Sequence, residues 1–400
     1  MKILLTHNFY GSSAPSGETS VVESEQRMLV SRGHEVATFF RHSDEIRGQG
    51  AWGAIKGALA TPWNPFSTRA MRRALEESGS DVVHVHNTFP LISPSIFPAI
   101  GSRAARVLTL HNYRLFCPAA IPMRAGRVCT RCIDEARVGA ALRHGCYRDS
   151  RLATAPLAAN VALHRRLGTW QKHVDAFITL TEFQRQVMID AGLPAEKVHV
   201  KPNFYPGDPE VIPWESRRET VVFVGRLSVE KGVETLLQAW RQWGTDAPEL
   251  RIVGDGPLAG ELRRLGRGLP VCFLGQLPPE KAQEEIGRAR LLVLPSECFE
   301  GFPMVIGEAF ALGTPAAVSR IGPLPEIVRM GEAGVVFAPG DPDALLEAVC
   351  NAWASLDRLR RVGERARVTF EEKYTESINY RLLMEIYETA MEVNKKRAKG

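Results

Sequence analysis

The 400-residue chain predicts an α/β protein of two doubly wound, Rossmann-like domains, each a parallel sheet covered by helices on both faces. Three observations predict it. The length exceeds what one ordinary hydrophobic core fills. Short, almost wholly apolar strands alternate with amphipathic helices nearly from end to end, which is how parallel strands buried on both faces read. The alternation is broken near the middle by a polar stretch with three prolines, NFYPGDPEVIPWESRR, after which a new strand begins.

Taken in order, the first half offers strands at 2–7 (KILLTH), 34–40, 81–87 (DVVHVHN), 106–111 (RVLTLH), 176–181 and 197–203. The second half offers 220–225 (TVVFVG), 250–256 (LRIVGDG), 271–276, 290–296 (RLLVLPS), 314–320 and 333–339. A first domain at 1–203, a linker at 204–218 and a second domain at 219–374 follow. The closing helix, 375–400, is expected to cross back onto the first domain. Two segments depart from the pattern. Residues 112–150 form an insert with four clustered cysteines. Residues 46–66 set Trp52, Ile55, Leu59, Trp63 and Phe66 beside Arg47 and Lys56. That segment reads either as an excursion packed on the first domain or as an acceptor-binding or lipid-facing element.

Composition narrows the class. With 44% apolar and 24% charged residues the chain is that of a globular protein. No apolar run approaches the ~18 residues of a membrane-spanning helix, and the opening MKILLTH reads as a buried strand rather than a secretory signal. A cytoplasmic protein is expected, with peripheral contact at the inner membrane face as an option. The first 201 residues hold 25 Lys+Arg against 16 Asp+Glu in a chain of net charge +5, so the front half is basic and the back half acidic. A basic front half suits a phosphorylated or membrane partner. Nucleic acid is not expected, because no recognition motif or basic–aromatic run occurs.

In an open α/β sheet, ligands gather beyond the carboxyl ends of the strands. After TVVFVG come Gly225, Arg226 and, at the next helix start, Lys231 and Gly232. Two cations beside the positive end of a helix dipole suit a diphosphate, although the P-loop spacing is missing. After RLLVLPS comes FEGFPMVIGEA, with Glu300 in the turn and Pro303 at the first helical position. The N–H groups of Met304 and Val305 are then free for phosphate or sugar oxygens, and Glu308 lies within the helix. Carboxylates are good acceptors for sugar and ribose hydroxyls. Asp341-Pro342-Asp343 could be read as a manganese motif, but it precedes an apolar helix and fits a cap better.

The cysteines read Cys117-x11-Cys129-x2-Cys132-x13-Cys146. A Cys-x2-Cys pair with two further thiolates fits tetrahedral zinc, with His144 as a substitute ligand. An iron–sulfur cluster and unliganded thiols are the alternatives.

The glutamate pair, FVGRLSVEKG, IVGDGP and LTEFQRQVMIDAGLPAEKVHVKPNF together resemble the retaining glycosyltransferases of family 4, over nearly the whole chain. The resemblance implies the GT-B architecture, two Rossmann-like domains facing across a cleft. It implies transfer of a sugar from a nucleotide-diphosphate donor, UDP- or GDP-sugar favoured, to a glycan, lipid-linked or small-molecule acceptor hydroxyl. Arg226 and Lys231 are then the donor-diphosphate pair, Glu300 the ligand of the reacting sugar and Glu308 the ribose ligand. Phe302, Met304 and Val305 complete the donor side. His111 matches a histidine near donor sugar and acceptor, while His84 and His86 are structural or acceptor-side. The front loop departs from the family's Gly-Gly, offering Ser16-Gly17-Glu18, with Gly17 left to meet phosphate. No cofactor is implied for catalysis, and the cysteines resemble an insert found in some members. The rival readings are a nucleotide-sugar epimerase and a non-catalytic sugar-binding subunit.

Overall fold

The computed structural model describes residues 1–11, 17–329 and 332–399, except for the side chain of Lys399. Ser16 of the front loop lies outside the described residues. All twelve strands expected from the sequence are present. The first six are β1 (Lys2–Phe9), β2 (Glu35–His42), β3 (Val82–Asn87), β4 (Ala105–Thr109), β7 (Ala176–Thr179) and β8 (Val198–Val200). A short antiparallel hairpin, β5 (Met123–Arg124) and β6 (Arg127–Val128), interrupts them. The second six are β9 (Thr220–Val224), β10 (Glu249–Val253), β11 (Val271–Gly275), β12 (Leu291–Leu294), β13 (Ala316–Ser319) and β14 (Gly334–Phe337).

Each set forms one sheet, in the orders β2-β1-β3-β4-β7-β8 and β11-β10-β9-β12-β13-β14. The pairs are parallel throughout. Strands such as VVHVHN and LLVL are buried along their whole length, so helices must cover both faces. In each sheet the strand order reverses once, at β1/β3 and at β9/β12. Those reversals open crevices at the carboxyl ends.

The chain divides into two compact units. One takes Met1–Pro122, Cys129–Pro202 and Asn379–Gly400; the other takes Met123–Val128 and Asn203–Ile378. The proline-rich stretch belongs to the second unit. Buried Arg217 donates to the carbonyls of Ile212, Leu312 and Gly313 and to the Thr314 hydroxyl, which fastens the stretch there. The last helix, Glu376–Lys399, is part of the first unit from Asn379 onward. The Asn379 side chain donates to the Pro202 carbonyl at 2.6 Å. Trp240 centres the second unit's core among Phe223, Leu236 and Leu250, and its indole N–H donates to the Pro248 carbonyl at 2.9 Å.

Candidate functional site

The second unit builds its site at the β9/β12 reversal. Past β9 the backbone runs through Gly225 and Arg226 into a short 3-10 turn, Val229–Lys231, and then into the helix Val233–Trp243. Gly232 between them has φ +65°, and a Cβ there would stand 2.0 Å from the Pro295 carbonyl oxygen. Only glycine lets the turn close onto the loop after β12. A neighbouring glycine acts in the same way. Gly254 has φ +136°, and a Cβ on it would meet the Gly225 carbonyl at 1.9 Å. The Gly225 and Leu227 N–H groups donate to Val253 and Asp255 at 3.0 Å each, so the IVGDGP loop supports the Arg226 loop from below.

The result brings Lys231 against Glu300, with Nζ 2.6 Å from Oε1. Ser296 also donates to that oxygen at 2.6 Å. Burial disfavours the Lys231 charge, but Glu300 outweighs it and raises the ammonium above its ordinary range. Arg226 is exposed, and among the described residues no carboxylate pairs with it. The helix Met304–Ala311 begins one residue later than expected. Pro303 is its N-cap rather than its first residue, because ψ 117° keeps it extended. Met304 and Val305 therefore occupy the first turn, where N–H groups have no carbonyl one turn back. Phe302 is buried with its ring 5.0 Å from Tyr374, so its side chain belongs to the core. Glu308 is raised by burial, against a lowering hydrogen bond from Gln283. Gln283 in turn accepts from Tyr205 at 3.1 Å.

The first unit builds differently. His84 and His86, two apart on β3, share a face of the sheet. His111 follows β4, and its Nε2 lies 3.0 Å from His86 Nδ1 with the rings stacked. Glu25 projects from the buried side of the helix Gly17–Ser31 toward the same place. Its Oε1 lies 2.9 Å from His84 Nδ1 and 3.2 Å from His86 Nε2. The angles leave Glu25 Oε1 and His86 Nε2 without a formed hydrogen bond. Lys201, also buried, donates to Glu25 Oε2 at 3.1 Å and to Asn379 at 3.0 Å. His84 completes its contacts with Thr109 at 2.7 Å and Tyr387 at 2.8 Å. Burial pushes Glu25 up, but Lys201 and the two histidines win and hold it well below the usual carboxylate range. Burial also lowers His84 to about 4, His7 to about 3, and His111 well below the ordinary value. His111 is therefore a neutral imidazole at pH 7, partly exposed on a small cavity of about 50 Å³.

Sequence reasoning missed Glu25 and Lys201. A signal existed for Glu25, which sits at helical spacing between Val21 and Met28 on an apolar face. Sequence reasoning named Glu18, next to Gly17, without giving it a role. Burial pushes the Glu18 carboxyl up to about 8, against Arg114 and a hydrogen bond from Tyr10. Gly17 itself is exposed as the first residue of its helix.

The cysteines occupy one segment of short elements. Cys117 and Cys132 are buried and Cys129 and Cys146 half-buried, and none of the four is in a disulfide. Burial pushes Cys117 up to about 12, with Cys132 and Cys146 adding to the rise. Among the described residues, only Glu25, His84 and His86 gather three ligand atoms within 4.8 Å of one another. The four thiols are thus neighbours without converging on a point, and a zinc would have to draw them together as thiolates. The ammonium of Lys201 on Glu25 makes the histidine group a polar network rather than a cation cage. Asp341 is a helix cap, accepting from the Asp343 and Ala344 N–H groups at 3.0 Å each.

Comparison with known proteins agrees with this geometry. Residues 15–206 match the family model Glycosyltransferase Family 4, and residues 218–355 match Glycosyl transferases group 1. An exopolysaccharide phosphotransferase of Streptomyces coelicolor is 38% identical over 48% of this chain and 21% of its own length. A sulfoquinovosyl transferase of Arabidopsis thaliana is 27% identical over 59% of this chain and 42% of its own. The chain thus spans less than half the length of either relative. The structure of HepE from Anabaena, solved with UDP and glucose, superposes with TM-score 0.64 at 17% identity, covering 97% of this chain and 100% of that one. The fold shared with it is GT-B.

Proposed function

We propose, because the chain belongs to the family 4, group 1 glycosyltransferases, that it moves a sugar from a nucleoside diphosphate donor to an acceptor hydroxyl with retained configuration. The observation that carries the reading is the Lys231–Glu300 contact at 2.6 Å, made between the two loops that flank the β9/β12 reversal. The chemical problem is a diphosphate that gains negative charge as the glycosidic bond breaks. Lys231 has two N–H donors left for phosphate oxygens after meeting Glu300. Arg226 and the N–H groups of Met304 and Val305 add fixed positive ends, and such preorganised donors act where charge develops. No divalent ion is needed in this scheme. Glu300 accepts from hydroxyls of the reacting sugar, and Glu308 from the ribose. A UDP- or GDP-sugar is the favoured donor.

On the first unit, the Glu25 carboxylate favours a proton on His86 Nε2. His86 Nδ1 is then a lone pair that takes the N–H of His111 Nε2, which leaves His111 Nδ1 as an acceptor for a substrate hydroxyl. No side chain is assigned as a covalent nucleophile, so the acceptor hydroxyl attacks from the face that the diphosphate leaves, and its proton passes to the departing diphosphate oxygen.

The test is incubation with UDP- and GDP-sugars, with and without candidate acceptor alcohols, followed by NMR of the products. Transfer with the donor's anomeric configuration kept supports the reading. An isomerised donor without acceptor would make the chain an epimerase, and binding without turnover a sugar-binding subunit.

A further inference from the structure

The segment before the first unit's fourth helix is built inside out. The helix Gly50–Ala60 turns its glycines inward. A Cβ on Gly53 would stand 1.8 Å from the Ile46 carbonyl oxygen, and one on Gly57 would stand 2.8 Å from the Ile46 side chain. At Gly53 the Ile46 backbone leaves no room for a side chain, and at Gly57 the Ile46 side chain would have to move. The large apolar residues face out instead. Trp52 is 72% exposed and Leu59 73%, with Ile55 between them, and the i, i+3, i+7 spacing makes them one stripe. Leu152, 88% exposed, lines the same cavity as Ile55, and Phe66, 74% exposed, opens the next helix. An ordinary surface helix buries such a stripe.

Beside the stripe lies a cavity of about 710 Å³, walled by Ile55, Phe89, Leu152 and Leu157, with Arg47 and Arg148 among its lining. Cations predominate around it, although Asp44, Glu45, Glu76, Glu77 and Asp149 border the region. Residues 46–75 contain Arg47, Lys56, Arg69, Arg72 and Arg73 and no acid. Arg47 meets Asp44 at 3.7 Å and Lys56 donates to Gln49, while Arg69, Arg72, Arg73, Arg148 and Arg151 are exposed. No described helix is long and apolar enough to cross a membrane. An exposed apolar stripe flanked by cations is the pattern of a helix lying in a bilayer interface.

We infer that this face docks on an anionic lipid leaflet, with Trp52, Leu59, Phe66 and Leu152 entering the headgroup boundary and the arginines meeting lipid phosphates. The charge decides between occupants. A two-fold contact between copies would set the same cations against each other. An anionic leaflet neutralises them.

The full chain is mixed with vesicles of phosphatidylcholine alone or with added phosphatidylglycerol, and co-sedimentation is measured. No donor or acceptor enters, so the result stands apart from the transferase reading. Binding is expected on anionic vesicles and roughly tenfold weaker on neutral ones or at high salt. The triple variant Leu59→Ser, Phe66→Ser, Leu152→Ser alters only exposed side chains, so its melting temperature should be unchanged while its vesicle binding falls at least about tenfold. Quenching of tryptophan fluorescence by brominated lipid, lost in Trp52→Ser, gives a second reading. Absence of vesicle binding, or binding that the triple variant keeps, would overturn the proposal. So would a dimer in sedimentation velocity that the triple variant dissolves, which would make the face a contact between copies.

Discussion

The two units solve the same topological problem with opposite materials. At β9/β12 the second unit uses backbone. Glycines 232 and 254 allow loops to touch at distances no side chain permits, and on that scaffold Arg226 stands exposed while Lys231 lies largely buried against Glu300. At β1/β3 the first unit uses buried side chains, an ionised Glu25 held by Lys201 and by histidines from β3. All ten histidines of the chain fall in the first 199 residues. The contrast teaches where damage should appear. A cation exposed on a loop can be removed with the fold intact, whereas a buried charge loses its compensation when one partner goes.

The largest expected effect is therefore on folding. Lys201→Met leaves Glu25 buried without its ammonium and should destabilise the first unit by about 3–5 kcal/mol. Chemical denaturation followed by hydrogen exchange should show the loss confined to that unit, and an unchanged midpoint would break the comparison. Arg226→Ala and Lys231→Ala should lower kcat/KM by about 2–4 kcal/mol of transition-state stabilisation, with melting temperature nearly kept in Arg226→Ala and lowered in Lys231→Ala, which strips Glu300 of its partner. Near-normal turnover in both would remove the diphosphate role.

Acid should sharpen the contrast further. His7, His84 and His111 have folded pKa values below the ordinary 6.5, so the unfolded chain binds more protons as pH falls beneath that value. Their contribution to stability is complete above about 6.5 and declines toward pH 4, while Glu25 adds its own loss lower still. Exchange protection should fall first in the first unit between pH 7 and 5, and uniform loss across both units would contradict it.

How much of this was legible in the sequence follows the same division. The twelve strands were legible because parallel strands buried on both faces read as apolar runs. The donor loops were legible because Gly225 to Gly232 and Phe299 to Glu308 are local stretches whose spacing carries their geometry. The first unit's network joins Glu25, His84, Lys201 and Tyr387, residues far apart in the chain, and no local pattern links them. Pro303 was misplaced by one position, since proline suits both the cap and the first turn. Thiol spacing could raise zinc but could not say whether four sulfurs converge. The smallest expected effect lies there. Protein purified without a metal-binding tag should carry near one zinc per chain, with Cys129→Ser lowering metal content and modestly lowering stability. Folded, active and metal-free protein would reject the site, and brief chelation should leave transfer intact.

The central claim is that Glu300 addresses the sugar and Glu308 the nucleoside, and titration calorimetry of a nucleoside diphosphate tests it most directly. UDP and GDP carry the ribose but no transferable sugar. Glu308→Gln should weaken the better-bound of the two by about tenfold, one lost hydrogen bond to a charged group, while Glu300→Gln, which frees Lys231 for the phosphates, should not weaken it and should lower kcat instead. Equal losses of affinity in the two variants would contradict the account.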